Sequence, residues 1–299
     1  MRLRRTLLYV PGNRPGLIQA ALVCGADVVT LDLEDSVAPD EKDAARHLVA
    51  EAIRFLPWED SEIAVRVNSP STGLLPLDVK ATVKAGVRLV RVPKIESARD
   101  VQEIDAMLAG LERELEIPAG TVKMTVSIES ARGLLASPSI AAASPRLEAM
   151  SLGGEDFTED LGAVRSREGD ELTYARLAVL SAARAAGLAA IDTVFSDVSD
   201  DEGLAADAAR ARRLGFDGKS VISPRQIPIV AAAFRPSAQE VAEAQAVVRA
   251  ARQALSAGSG VASLGGRMVD APIIKRAERV LAMAGREKGR RTDAGKPRD

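Results

Sequence analysis

The sequence predicts an α/β protein, a (β/α)8 TIM barrel with a C-terminal helical extension or lid, on three observations. Eight short apolar runs recur along the chain: RTLLYV, DVVTLDL, EIAVRV, RLVRVP, KMTVSI, EAMSLG, AAIDTVF and GKSVIS. They are largely continuous rather than alternating, as in parallel strands covered by helices. Amphipathic segments separate them, and eight parallel strands alternating with helices close most naturally into a barrel. Finally, Gly25, Gly86, Gly187 and Gly215 stand where a helix gives way to a strand, the place of a left-handed C′ residue. A doubly wound open sheet is the alternative, but no GxGxxG follows the first run. The only near match, at Gly258 and Gly260, falls in a late Gly/Ser-rich stretch.

The first run follows basic residues, as a signal peptide would, but LLYV stops at Pro11-Gly12. That is short of the roughly 7–15 apolar residues a leader needs, so it reads as a strand. Cys24, beside Gly25, is expected to be a packed thiol rather than a nucleophile. Pro39 suits a first helical position, and Asp40 and Glu41 suit the positive end of the helix dipole. Ala45, Leu48, Val49, Ala52, Ile53 and Leu56 then share one face, which predicts a helix over 39–56. His47 lies off that face and is expected at the surface. After about Pro224 the rhythm changes. A long helix, the hinge SAGSGVASLGG and a second helix follow, so the expected division is a barrel at 1–232, a helical extension or lid at 233–285 and a disordered tail at 286–299.

Composition narrows the function classes. The chain has 299 residues, and 40 Lys+Arg against 42 Asp+Glu leave a net charge of −2, so no basic face calls for nucleic acid or anionic lipid. Aromatic residues at 3% argue against base-stacking platforms. A single cysteine excludes an internal disulfide, and a single histidine excludes a histidine-built zinc site. No run reaches the roughly 18 apolar residues of a membrane span. A cytoplasmic protein is expected.

The active site of such a barrel lies at the C-terminal ends of its strands. Read in order, those ends carry Pro11, Gly12, Asn13 and Arg14, then Asp32, Glu34, Asp35 and Ser36, then Arg66 and Asn68, then Lys94 and Glu96. Glu129 and Ser130, Glu155 and Asp156, Asp192, Ser196 and Asp197, and Ser223-Pro224 complete the rim. Strand-end salt bridges and helix caps account for some of these, Glu96, Asp197 and Ser36 among them. Glu129 and Asp156 end adjacent runs, the latter just beyond Gly153-Gly154, and are expected to hold a metal. The donors are carboxylates without histidine or thiolate, which points to Mg²⁺, or Mn²⁺ in its place, completed by substrate oxygens and water. Arg66 lies inside an apolar run. It is expected either to pair with Glu34 or Asp35 or to steady negative charge on a substrate oxygen. A metal and an arginine facing an oxygen-rich substrate suit chemistry through an enolate.

The motifs YVPGNRP, VVTLDLEDSVAPDEKDAAR, VRVN, RVPKIES, SIES, LGGEDFTEDLG and FDGKSVISPRQI, in this order, resemble the citrate lyase beta-subunit-like family within the 2-oxo-acid aldolase superfamily. That family includes malyl-CoA, citramalyl-CoA and citryl-CoA lyases. The resemblance extends to about residue 285 and implies a Mg²⁺-dependent lyase that cleaves or forms a 3-hydroxyacyl-CoA, giving an acyl-CoA and a 2-oxo acid. It implies Glu129 and Asp156 as metal ligands and Arg66 as a substrate-binding and catalytic residue. It implies Glu34 and Asp35 as the acidic pair behind the metal, and Pro11, Gly12, Asn13 and Arg14, with Lys94, as contacts for the CoA phosphates. A V-D motif on a lid, often from a neighbouring subunit, supplies a catalytic aspartate in the thioester lyases; it matches Val269-Asp270, where a helix N-cap is the plainer role. A homotrimer or hexamer is implied as well. The family's HPxQ motif reads Ser223-Pro224-Arg225-Gln226 here, without its histidine. The alternatives are a citrate lyase beta subunit acting on an acyl-carrier-protein thioester, or a non-catalytic acyl-CoA-binding protein.

Overall fold

The computed structural model describes residues 3–58, 61–256, 262–265 and 267–293. They fall into two compact units, one holding residues 2–234 and the other the segment from Arg235 onward.

In the first unit all eight apolar runs are strands: β1 (Thr6–Pro11), β2 (Val28–Asp32), β3 (Glu62–Arg66), β4 (Leu89–Val92), β5 (Lys123–Ile128), β6 (Leu147–Leu152), β7 (Ala189–Asp192) and β8 (Gly218–Val221). They form a closed barrel in sequence order, with β8 parallel to β1, so the open-sheet alternative falls away. The helices are α1 (Pro15–Ala21), α2 (Lys42–Phe55), α3 (Leu75–Ala85), α4 (Ala98–Glu114), α5 (Ala131–Ala141), α6 (Gly154–Asp160), α7 (Thr173–Ala185), α8 (Asp201–Leu214) and α9 (Gln226–Phe234). Gly25, Gly86, Gly187 and Gly215 all have positive φ. The helix expected from Pro39 begins as a 3-10 turn over Pro39–Glu41 before α2, and His47 is exposed. Cys24 is half-buried against the core, its thiol donating to the Ala21 carbonyl at 3.1 Å.

Two-residue periodicity sorts the strand residues into two populations. Leu8, Val10, Val29, Leu31, Val65, Val90, Val126 and Met150 belong to the large core shared with the helices. Leu7, Val28, Ala64, Leu89, Ala149, Ala189 and Ile191 form a separate buried cluster, the apolar floor of the barrel interior. Two residues further along several of these strands, that same face turns polar: Tyr9, Thr30, Arg66, Arg91 and Ser151. Polar side chains inside a barrel are costly unless partnered, so this layer marks where function begins.

The C-terminal unit holds α10 (Ala238–Ser256), α11 (Ala271–Asp293) and, between them, an antiparallel pair of β9 (Ala262–Leu264) and β10 (Arg267–Val269). The segment read as a hinge is therefore partly a hairpin: Gly265, at φ 58°, follows β9 where the chain turns back to pair. Helix α11 continues to Asp293, into the segment read as a tail from residue 286. Arg, Glu and Lys are good helix formers and extend a helix already begun. Residues 294–299 lie outside the described residues. Among the described residues no helix is long and apolar enough to cross a membrane.

Candidate active site

Strand register assembles the first part of the site. Pro11 stands opposite Asp32, Asp32 opposite Arg66, and Arg66 opposite Arg91. Arg66 meets Asp32 through two bonds, Nε to Oδ1 at 2.6 Å and Nη2 to Oδ2 at 2.7 Å. Its Nη1 reaches Glu34 at 2.9 Å and Asp35 at 3.1 Å, and its guanidinium lies 4.8 Å from the centre of the Tyr9 ring. The pairing expected with Glu34 or Asp35 is present, but the two-bond partner is Asp32, to which the sequence reading gave no role. Burial alone would raise the Asp32 carboxyl; the charge and hydrogen bonds of Arg66, with the Ser36 hydroxyl, outweigh it and hold the pKa below its ordinary value.

Glu129 follows β5 and is 6% exposed. Its Oε2 is buried with no hydrogen-bond partner. Burial pushes its carboxyl up to about 8, and the nearby Glu34 and Asp156 add to the rise. Gly153 makes room for it, because a Cβ there would stand 2.5 Å from Glu129 Cγ. Gly154 is as closely held: its N–H donates to Thr193 Oγ1 at 2.8 Å, and a Cβ would stand 2.7 Å from that oxygen. The glycine pair thus brings the first turn of α6, with Asp156, close against the end of β5.

Lys94 occupies the left-handed region at φ 53°, an unfavourable conformation for a side-chain-bearing residue. Its ammonium lies 2.8 Å from Glu34 Oε1, 3.1 Å from Asp35 Oδ1 and 3.8 Å from Asp156 Oδ1. Burial raises the Glu34 carboxyl to about 7, against the pull of Arg66 and Lys94. Glu129 and Asp156 both line a cavity of about 420 Å³ that Arg66, Arg91, Tyr9 and Asp35 also border. An adjoining cavity of about 590 Å³ is shared by Glu129, Asp156 and Lys94.

These residues fit a hard divalent cation. Glu129 offers a buried, unpartnered oxygen, and Asp156 a half-exposed carboxylate whose one nearby cation is at the limit of ion pairing. Among the described residues no three His, Cys, Asp or Glu side chains form a metal-ligating cluster. Two protein carboxylates are nevertheless what Mg²⁺ commonly takes, with substrate and water in the other positions.

The remaining rim residues divide. Gly12 donates its N–H to the Asp32 carbonyl at 2.8 Å, and a Cβ there would come within 2.5 Å of that oxygen. Asn13 hydrogen-bonds Glu41, and Arg14 is exposed at the N-terminus of α1. Lys94 is engaged by Glu34 and Asp35. Glu96 accepts from Ser130 Oγ at 2.8 Å and pairs with Arg132 at 3.8 Å, whereas Ser36 donates to Asp32 and Asp197 accepts from Ser199 N–H at 2.9 Å, hydrogen bonds within the loops rather than the salt bridges or helix caps expected. Glu155 turns to Arg165 at 3.0 Å. In the SPRQ motif, Gln226 ties the end of β8 to the loop after β7, accepting from Ile222 N–H and donating to the Phe195 carbonyl, both at 2.9 Å. Asp270, in the C-terminal unit, caps α11 by accepting from Ile273 N–H at 3.2 Å.

Asp32 was read only as one rim acid among several, and Tyr9 and Arg91 escaped the sequence reading. The first two had a legible signal, since an acidic and an aromatic residue share the inward parity of their strands. Arg91 was hidden inside RLVRVP, where an arginine in mid-strand resembles any outward-facing charge.

Fold, cavity and carboxylate pair define the class, and comparison with known proteins places the chain within it. The profile of the HpcH/HpaI aldolase/citrate lyase family matches residues 5–224. Citrate lyase subunit beta of Leuconostoc mesenteroides subsp. cremoris is 44% identical over 95% of this chain and 94% of its own length. The L-malyl-CoA/beta-methylmalyl-CoA lyase of Cereibacter sphaeroides is 39% identical over 95% of each. Among solved structures, CitE from Mycobacterium tuberculosis in complex with magnesium, acetoacetate and coenzyme A superposes with a TM-score of 0.78 at 35% identity, covering 94% of this chain and 98% of the other. The chain belongs to the HpcH/HpaI aldolase/citrate lyase family and is a carbon–carbon lyase.

Proposed function

We propose that this protein is a Mg²⁺-dependent lyase that cleaves, or in reverse forms, a 3-hydroxyacyl-CoA such as malyl-, citramalyl- or citryl-CoA, yielding an acyl-CoA and a 2-oxo acid. The observation that carries this reading is the buried Glu129 carboxylate, unpartnered at Oε2 and facing the same cavity as Asp156. The magnesium and coenzyme A held by the similar CitE structure support it. In the cleavage, the C3 hydroxyl loses its proton as the C2–C3 bond breaks. The oxygen becomes the carbonyl of the 2-oxo acid, the bond's electron pair enters the thioester enolate, and a proton then closes C2.

Glu129 and Asp156 hold the metal, which when bound polarises the hydroxyl and carboxylate oxygens of the part that leaves. Arg66, fixed by Asp32, presents positive charge toward the thioester oxygen and stabilises the enolate. Asp270 exchanges the proton at C2, a role that rests on the family resemblance. Pro11 to Arg14 receive the CoA phosphates, with the exposed Arg14 as the cation, and the active form is a homotrimer or hexamer. One specific observation favours a second reading, a beta subunit acting on an acyl-carrier-protein thioester: the 44% identity to a citrate lyase subunit exceeds the 39% to a malyl-CoA lyase.

Purified protein incubated with malyl-, citramalyl- and citryl-CoA and Mg²⁺, with products followed by mass spectrometry, tests the proposal. Mg²⁺-dependent release of an acyl-CoA and a 2-oxo acid is expected. Cleavage only of carrier-protein thioesters selects the second reading, and full activity in the presence of chelator rejects the metal assignment.

A further inference from the structure

The barrel mouth holds two guanidinium groups in very different surroundings. Arg66 is engaged by Asp32, Glu34 and Asp35. Arg91 is 3% exposed, and among the described residues no carboxylate lies within ion-pairing distance of it. Its Nη2 donates to Ser151 Oγ at 2.9 Å and, weakly, to Ser220 Oγ at 3.5 Å. Its Nε is buried with no acceptor at all. Its guanidinium also lies 5.2 Å from the centre of the Tyr9 ring. Elsewhere in the barrel unit buried arginines are neutralised, as Arg176 is by Asp192 and Asp207, and Arg146 by Glu112 and Asp105. A buried cation left unpaired is costly, and such a cost persists where a ligand later supplies the missing charge.

Arg91 faces the cavity that Glu129, Asp156 and Arg66 also line. It enters from within β4, whereas Glu129 and Asp156 lie beyond the ends of their strands. Its Nη2 is held by Ser151 and its Nε is sealed from solvent, so what the cavity meets is a cation that no carboxylate among the described residues answers, and a charge-assisted hydrogen bond to an incoming anion is the partner it lacks.

We propose that Arg91 is the specificity-determining residue of this site, receiving a second carboxylate carried on C3 of the substrate. The inference rests on the lyase reading, in which the metal takes the hydroxyl and one carboxylate, and Arg66 the thioester oxygen. The group left over on C3 is hydrogen, methyl or a carboxymethyl arm in the three candidate thioesters. An uncompensated arginine selects the carboxymethyl arm, so the preferred product is a 2-oxo dicarboxylate. A methyl or hydrogen there leaves the guanidinium buried and unpaired, and sites that lose a designed polar partner discriminate strongly.

The test compares citryl-CoA with citramalyl-CoA on the wild type, Arg91→Met and Arg91→Lys, alongside calorimetric binding of oxaloacetate and pyruvate in the presence of Mg²⁺. The wild type is expected to favour citryl-CoA in kcat/KM, and oxaloacetate in affinity, by about 10²-fold or more. Arg91→Met should collapse both ratios toward one, and Arg91→Lys should restore part of each. A folded Arg91→Met protein that keeps the wild-type ratios overturns the proposal, as does a wild type that binds the two oxo acids equally. If Arg91→Met fails to fold, the wild-type binding ratio decides. Failure of the wild type to cleave any thioester rejects the lyase reading instead, while the preference between oxo acids still reports on Arg91.

Discussion

Glu129 carries the sharpest residue-level consequences. Its carboxyl titrates near 8 in the metal-free fold, because burial and neighbouring acids oppose ionisation. In the unfolded chain it ionises near its ordinary 4.5. Between those two values the native state holds the extra proton, so this residue's contribution to stability falls as pH rises through that window and levels off above it. Glu129→Gln removes the titration. Its chelator-treated protein should therefore gain stability relative to wild type from pH 6 to pH 9, as read by urea melts, while losing Mg²⁺-dependent activity. The same proton must leave when a cation binds, so Mg²⁺ titration at pH 7 should release ~1 proton per ion, measured by calorimetry in buffers of different ionisation heat. Gly153→Ala tests the cradle directly. A Cβ 2.5 Å from Glu129 Cγ must displace that side chain. Weakened Mg²⁺ binding is expected, with a stability loss of about 1–3 kcal/mol in a thermal melt.

At the scale of elements, β2 and β3 are joined by more than their ladder. Asp32 and Arg66 are register partners, and the buried Asp32 carboxylate bridges two nitrogens of the guanidinium. Asp32→Ala leaves Arg66 without its main partner and should cost about 3–5 kcal/mol, well above the roughly 1 kcal/mol typical of a point mutation. A denaturant midpoint comparison measures it. The helix after β4 has a different source of order. Ser97 accepts from Asp100 N–H at 3.2 Å, while Asp100 accepts from Ser97 N–H at 2.9 Å, a reciprocal cap on α4. Ser97→Ala should cost only about 1 kcal/mol, read by the same denaturant comparison, because a cap is lost while the helix's packed face stays in place.

At the scale of the whole molecule, the barrel unit contains its own core and the complete set Asp32, Glu34, Arg66, Arg91, Lys94, Glu129 and Asp156. A chain ending after Phe234 is expected to keep barrel-like circular dichroism and to bind Mg²⁺. If Asp270 supplies the proton, turnover should drop by about 10²–10³, and Asp270→Asn in the full chain should match it. Near-wild-type turnover in either variant removes Asp270 from the mechanism.

Local sequence determined the eight strands, their order and the carboxylate pair. A strand's apolar run, a helix-ending glycine and an acid beyond a glycine pair are all short-range signals, set by backbone sterics and burial. Tertiary structure alone decided who pairs with whom. Register gave Arg66 to Asp32 rather than only to its expected acids, and barrel closure turned Arg91 inward among hydroxyls. The hairpin over 262–269 and the helix to Asp293 depended on strand pairing and helix propagation, which a polar, glycine-bearing string does not reveal. The physical reason is one of range: propensity and periodicity act over a few residues. The partner of a buried charge is chosen by chain segments tens of residues apart, and only closure of the barrel brings those together.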